Sequence, residues 1–167
     1  TRALAKSVSR LTYQDLSPRA VEAGKLAVLD AVGNAIGGDP LNLSPIFLTI
    51  AKNMGGGIEE ATLIGDGSKV SSPLAAFGNS ALTSMLDYSD RSSTSLAVCA
   101  ALAVGEPAKI SGKELITSIV AGSEAEPRIA PTMHMSDEQA KRLRRTKPVQ
   151  WENNTLIQAE RAAGRAL

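Results

Sequence analysis

Four groups of side chains in this chain could do chemistry: the carboxylates Asp87 and Asp90, the thiol Cys99, the lone histidine His134, and the basic run Lys141-Arg142-Leu143-Arg144-Arg145-Thr146-Lys147. A carboxylate or an imidazole becomes a useful acid or base when burial and neighbouring charges bring its pKa towards working pH. Asp87 and Asp90 close the stretch Ala61 to Asp90, in which a turn at Gly65-Asp66-Gly67 leads into a helix with Ser72 as cap and Pro73 as opener. Glycine takes positive φ without penalty, and serine followed by proline starts a helix well. Ala75, Ala76, Gly78, Ser80 and Ala81 let that helix pack closely, so it could hold Asp87 rigidly at the edge of a cleft. The alternative for Asp87 is a polar end cap, although a negative charge at a helix C-terminus opposes the dipole.

The other groups carry less. Ser71, Ser72 and Ser92 have no His/Asp arrangement around them and read as caps. No Cys/His cluster suggests a metal, and Gly-Asp-Gly is too short for a phosphate loop. Cys99 lies in the apolar run Leu96 to Val104 and reads as an inert core residue. His134 reads as a loop histidine. The run Lys141 to Lys147 reads as a solvated helix face, with anion binding as its alternative. It lacks aromatic interleaving, and the net charge of +1 gives no general basic field, so nucleic acid is not an expected partner.

The elements that must position these groups are helices. Aromatic residues make up 3% of the 167 residues, and hydrophobic residues 43%. Such a core is built from Leu, Ile, Val and Ala, which favours closely packed helices. Helices are expected over Arg2 to Leu11, from Ser17-Pro18 to Gly37-Gly38-Asp39-Pro40, and from Ser44-Pro45 to about Met54. Further helices are expected from Ser72 to the aspartates, from Thr94 to a stop at Gly105-Glu106-Pro107, and from a capping box at Ser111-Glu114 to a kink or end at Pro127. Two more follow, over Ser136 to Thr146 and Trp151 to Leu167. On the second of these helices Val21, Leu26, Val28, Leu29, Val32 and Ile36 form a broad apolar stripe. The fold class expected is all-α, a multi-helix bundle-like domain over residues 1–167 with at most a minor extended segment near 61–64. No apolar run approaches the ~20 residues of a membrane span, and no signal peptide is visible, so no membrane partner is expected. One cysteine forbids an internal disulfide, and a cytoplasmic setting is expected.

Ala61-Thr62, Gly65, Gly67, Val70-Ser71, Pro73, Ala75-Ala76, Asn79, Leu86-Asp87-Tyr88 and Asp90 fall at the spacing of the A-T-V-x-G-x-G-x-x-V-S-x-P-x-A-A-x-x-N segment and L-D-[FY]-D-D ending of the MmgE/PrpD family. Ser89 replaces one of the usual aspartates. Leu29 to Gly33 with Gly37-Gly38, Ser111 to Glu124 with Arg128-Ile129, and Ala162 to Leu167 extend the likeness. The chain therefore resembles the helical N-terminal part of that family, which includes 2-methylcitrate dehydratase, cis-aconitate decarboxylase and iminodisuccinate epimerase. The family's smaller α+β lid domain is not represented in these residues.

The resemblance implies an ancestral lyase or isomerase that acts on small polycarboxylic acids and uses no cofactor and no metal. In elimination of water, a base takes the proton α to a carboxylate, an acid protonates the departing hydroxyl, and cations hold the carboxylates. Asp87 then matches the family's active-site aspartate. Lys147, before Pro148, falls near a family histidine and would bind a substrate carboxylate, although it cannot copy a histidine's titration. The family's His-Pro loop after the aspartates is replaced by Arg91-Ser92-Ser93-Thr94. With that histidine and the lid domain lacking, the isolated chain is expected to be inactive. The family's dimers imply a homodimer, and the rival reading is a non-catalytic helical scaffold or oligomerisation module.

Overall fold

The computed structural model describes residues 2–39, 44–55, 57–88 and 94–133. Asp90, His134, the run from Lys141 to Lys147 and the two helices expected after residue 134 lie outside the described residues. In chain order the elements are α1 (Arg2–Val8), a short 3-10 turn (Tyr13–Asp15), α2 (Pro18–Gly38), α3 (Ser44–Met54), β1 (Ala61–Thr62), β2 (Lys69–Val70), α4 (Ser72–Ser84), α5 (Thr94–Ala108) and α6 (Gly112–Met133). The domain is mostly helical, as its composition predicts. Among the described residues the sheet is one two-residue antiparallel ladder with Ala61 opposite Val70 and Thr62 opposite Lys69. The extended segment at 61–64 is thus the first arm of a hairpin, whose second arm the sequence reading missed.

Local chemistry explains most of the boundaries. Ser17 caps α2 by accepting the Ala20 N–H at 3.1 Å, with Pro18 following. Ser111 and Glu114 form the reciprocal cap of α6: Glu114 accepts the Ser111 N–H and hydroxyl at 2.7 Å each, and Ser111 accepts the Glu114 N–H at 3.3 Å. Two expected stops fall elsewhere. α5 continues through Pro107 to Ala108, because a proline in the last turn forfeits only one bond. Its end is fixed by Lys109 at φ 52°, with Ile110 N–H donating to Gly105 O at 3.2 Å. α6 runs past position 127 to Met133, so of the kink or end expected there the end is ruled out.

The inner face of α2 also differs from the apolar stripe. Leu26, Leu29 and Ile36 are 63%, 70% and 59% exposed, while Ala20, Val21, Gly24, Ala31, Ala35 and Gly38 are buried. The small residues win this face because only they admit the neighbouring backbone. A Cβ on Gly38 would stand 2.4 Å from the Leu82 carbonyl oxygen of α4. Two clusters form the core. The larger joins α2, α3, the hairpin, α4 and α5 through Ala35, Leu48, Leu63, Val70, Leu82 and Ala103. The smaller holds Ala31, Val98 and Ile119 where α2, α5 and α6 meet. Each fully buried leucine contributes about 1.5–3 kcal/mol.

Candidate functional site at the Asp87 end of the bundle

α4 is anchored at its start. Glu60 accepts both the N–H and the hydroxyl of Ser72 at 3.0 Å, and these two bonds hold its carboxyl below the usual range. Ser71, not Ser72, is the residue preceding the helix. At the other end the helix stops at Ser84, three residues short of the aspartate it was expected to carry. Asp87 stands on the turn beyond, with φ 52° and its N–H donating to Ser84 O at 3.2 Å. A left-handed residue cannot prolong a right-handed helix, and aspartate is among the few non-glycine residues that tolerate that backbone. Its side chain is exposed, as is that of Tyr88 at 77%.

The elements beneath Asp87 can be read level by level. Thr83 donates to Asn79 O at 2.8 Å and to Ala31 O at 3.3 Å, and it meets Cys99 Sγ at 3.5 Å. Ala31 in turn packs with Val98 and Ile119. One helical turn beyond this level, towards the end of the bundle, come Asn34 on α2, Thr94 and Ser95 on α5, and Ser123 with Glu124 on α6. All five are buried. Gly37 and Gly38 seat the end of α2 against Leu86, Leu82 and Met85, directly under the Asp87 turn. Gly122 admits Ala97 in the same way. Glu124 is 2% exposed, and its Oε2 lies 3.3 Å from Arg128 Nη2. Five of the eight buried polar residues in the described part therefore fall at this level of α2, α5 and α6.

Asp87 is the residue the sequence singled out. Asn34, Thr94 and the Glu124–Arg128 pair were not singled out from the sequence; the one signal was a Glu/Arg pair at i, i+4 following the apolar run Ile119 to Ala121. Cys99 is buried as expected, and burial pushes its thiol up, with the bond to Thr83 opposing. At the opposite end, a groove of about 390 Å³ lies among Ile64, Asn79, Leu102, Glu106, Lys109 and Leu115. Its acid is spoken for: Glu106 accepts the Thr62 N–H and hydroxyl and pairs with Lys69 at 2.9 Å. Among the described residues no three His, Cys, Asp or Glu side chains converge as metal ligands. No described helix is long and apolar enough to cross a membrane.

The sequence model of the MmgE/PrpD N-terminal domain matches residues 2–146. The chain belongs to the MmgE/PrpD family. Asp87 and every described element fall inside the MmgE/PrpD match, whereas Lys147 lies one residue past it. No curated protein and no solved structure gives a significant match to this MmgE/PrpD chain.

Proposed function

We propose that this chain is the acid-binding helical part of a cofactor-independent MmgE/PrpD lyase or isomerase for small polycarboxylic acids. In this reading Asp87 faces the substrate carbon that exchanges a proton, and Lys147 clamps a carboxylate. The observation that carries the reading is Asp87 itself, an exposed carboxylate in a left-handed backbone just past the end of α4. Non-glycine residues in such conformations cluster at sites where orientation matters more than strain. The 167 residues contain one histidine, His134, and Arg91-Ser92-Ser93-Thr94 stands where the resemblance implies a histidine loop, so in this reading the residues by themselves are expected not to turn over substrate. The test is calorimetry of the purified chain with tricarballylate, a tricarboxylate without the departing hydroxyl, alongside an assay of 2-methylcitrate dehydration. Binding that changes with Asp87→Asn, without dehydration, supports the reading. Absence of binding at millimolar ligand overturns the site, and turnover by the chain alone overturns its inactivity.

The second reading is a non-catalytic helical module that associates as a homodimer. The large apolar side chains left outside on α2 favour it, because isolated monomers rarely leave leucines and isoleucines together on one helix face. Light scattering across a concentration series decides it: a monomer at every concentration removes the module.

A further inference from the structure

We propose that the groove between the hairpin and the α5–α6 corner binds a small aliphatic monocarboxylate, with its carboxylate on Lys109 and its tail along Ile64, Leu102, Ile110 and Leu115. The proposal goes beyond the function proposed above and does not depend on it, because Asp87 does not line this groove. At about 390 Å³ the groove falls within the range of small-molecule clefts. Ile64, Leu102, Ile110 and Leu115 are each half-buried. Each therefore keeps apolar surface that a bound aliphatic chain would remove from water.

The polar groups around this floor decide the class of ligand. Asn79 commits its amide to the Ile64 N–H and the Thr62 carbonyl, and Ser111 is tied to Glu114. Glu106 and Lys109 are the charged residues of the lining. Glu106 is matched by Lys69 at 2.9 Å and by its two bonds from Thr62, whereas among the described residues Lys109 has no charged partner. The Lys109 backbone is left-handed, with φ 52°, at the residue that ends α5. Glycine is the usual residue there and lysine is strained, so stopping the helix does not explain the lysine, whose ammonium glycine cannot supply. On the rim, a Cβ at Gly112 would meet nothing within 4 Å, and the bare position leaves the groove open. One ammonium and four aliphatic side chains match a ligand with one negative group and an aliphatic body. A di- or tricarboxylate would bring further charges onto an apolar floor with no second cation to meet them.

Titration of octanoate into the 167-residue chain, followed by NMR of its isoleucine and leucine methyl groups, tests this. Saturable shifts are expected at Ile64, Leu102, Ile110 and Leu115, with Leu29 and Ile36 on α2 unmoved. 1-Octanol, which has the same tail and no charge, should bind about tenfold more weakly, and tricarballylate should leave the four groove residues unmoved. Lys109→Gly should raise the melting temperature by relieving the left-handed backbone, yet weaken octanoate about tenfold; a lysine with only a structural role would not give the second effect. Gly112→Phe, whose Cβ has open space, should close the groove and abolish the shifts. Lys25→Ala, on exposed α2, should change nothing. Equal binding of octanoate and octanol, or octanoate affinity indifferent to Lys109→Gly, overturns the monocarboxylate assignment. Absence of saturable shifts at millimolar octanoate overturns the site. Neither result touches tricarballylate binding at Asp87, which is measured separately.

Discussion

Glu106 on α5 holds Thr62 on β1 by two bonds of 2.8 Å, one from the backbone N–H and one from the hydroxyl. Partial burial pushes the Glu106 carboxyl up, but the Lys69 ammonium and the two Thr62 bonds outweigh it and leave the group below the usual carboxylate range. A lowered folded-state pKa stabilises the fold above the unfolded value, and that contribution is lost as pH falls through the folded one. Glu106→Gln should therefore cost about 1 kcal/mol at pH 7, discounted for exposure, and less at pH 3, below the unfolded carboxylate's range. Urea midpoints of both proteins at the two pH values check this. An equal difference at both would contradict it.

Asn79 is 2% exposed, with Oδ1 accepting the Ile64 N–H at 2.8 Å and Nδ2 donating to Thr62 O at 2.9 Å. Asn79→Ala leaves two backbone groups of the hairpin unpaired and should cost about 2–4 kcal/mol. Asn79→Asp keeps the acceptor but loses the donor, and should fall between. Chemical denaturation of the three proteins gives the order directly.

Glycine is used here for closeness of approach. A Cβ on Gly78 would stand 2.6 Å from Leu63 Cδ2, and both residues are buried. On Gly38 it would meet the Leu82 carbonyl oxygen, which cannot rotate away as a side chain can. Gly38→Ala should therefore destabilise by about 2–3 kcal/mol despite the better helix propensity of alanine, and by more than Gly78→Ala. Thermal melts that rank Gly78→Ala as the more damaging would refute this ordering.

For Asp87 the backbone predicts a separation of stability from binding. Asp87→Gly relieves the left-handed strain and should stabilise by about 0.5–1 kcal/mol, Asp87→Asn should be nearly neutral, and Asp87→Ala should cost about 1 kcal/mol. All three should lose tricarballylate affinity if the carboxylate meets the ligand. Calorimetry and melts on the same samples separate the two effects.

Cys99 has no exposed surface, and burial raises its thiol pKa. A thiol reagent should label the native chain far more slowly than the urea-unfolded chain at the same pH. Comparable rates would place the thiol at the surface.

What the sequence made legible is what local chemistry controls. The Ser17-Pro18 start, the Ser111–Glu114 cap and the burial of Cys99 each depend on a few adjacent residues. The β2 arm was not legible, because Lys69 and Val70 form a strand only opposite Thr62 and Ala61. The orientation of α2 was not legible either. Its apolar residues surround the helix, and the tight seat of Gly38 on Leu82, set by a residue 44 positions away, decides which side turns inward. The end of α4 misled for a related reason: nothing in Leu86-Asp87-Tyr88 announces a left-handed residue. Asn34, Thr94 and Glu124 share a level only once three helices have packed.

The short hairpin has one further consequence, for the order of assembly. Asp66 is tied to Lys52 on α3, Glu60 on the approach to β1 holds the start of α4, and Thr62 and Lys69 are both gripped by Glu106. A chain synthesised from its N-terminus makes Lys52 first and Glu106 last. On the ribosome, residues 61–70 can dock early against α3 and α4 but cannot be locked until α5 has emerged. A pause in translation before Glu106 would therefore leave this segment open to a protease, and release of α5 would close it.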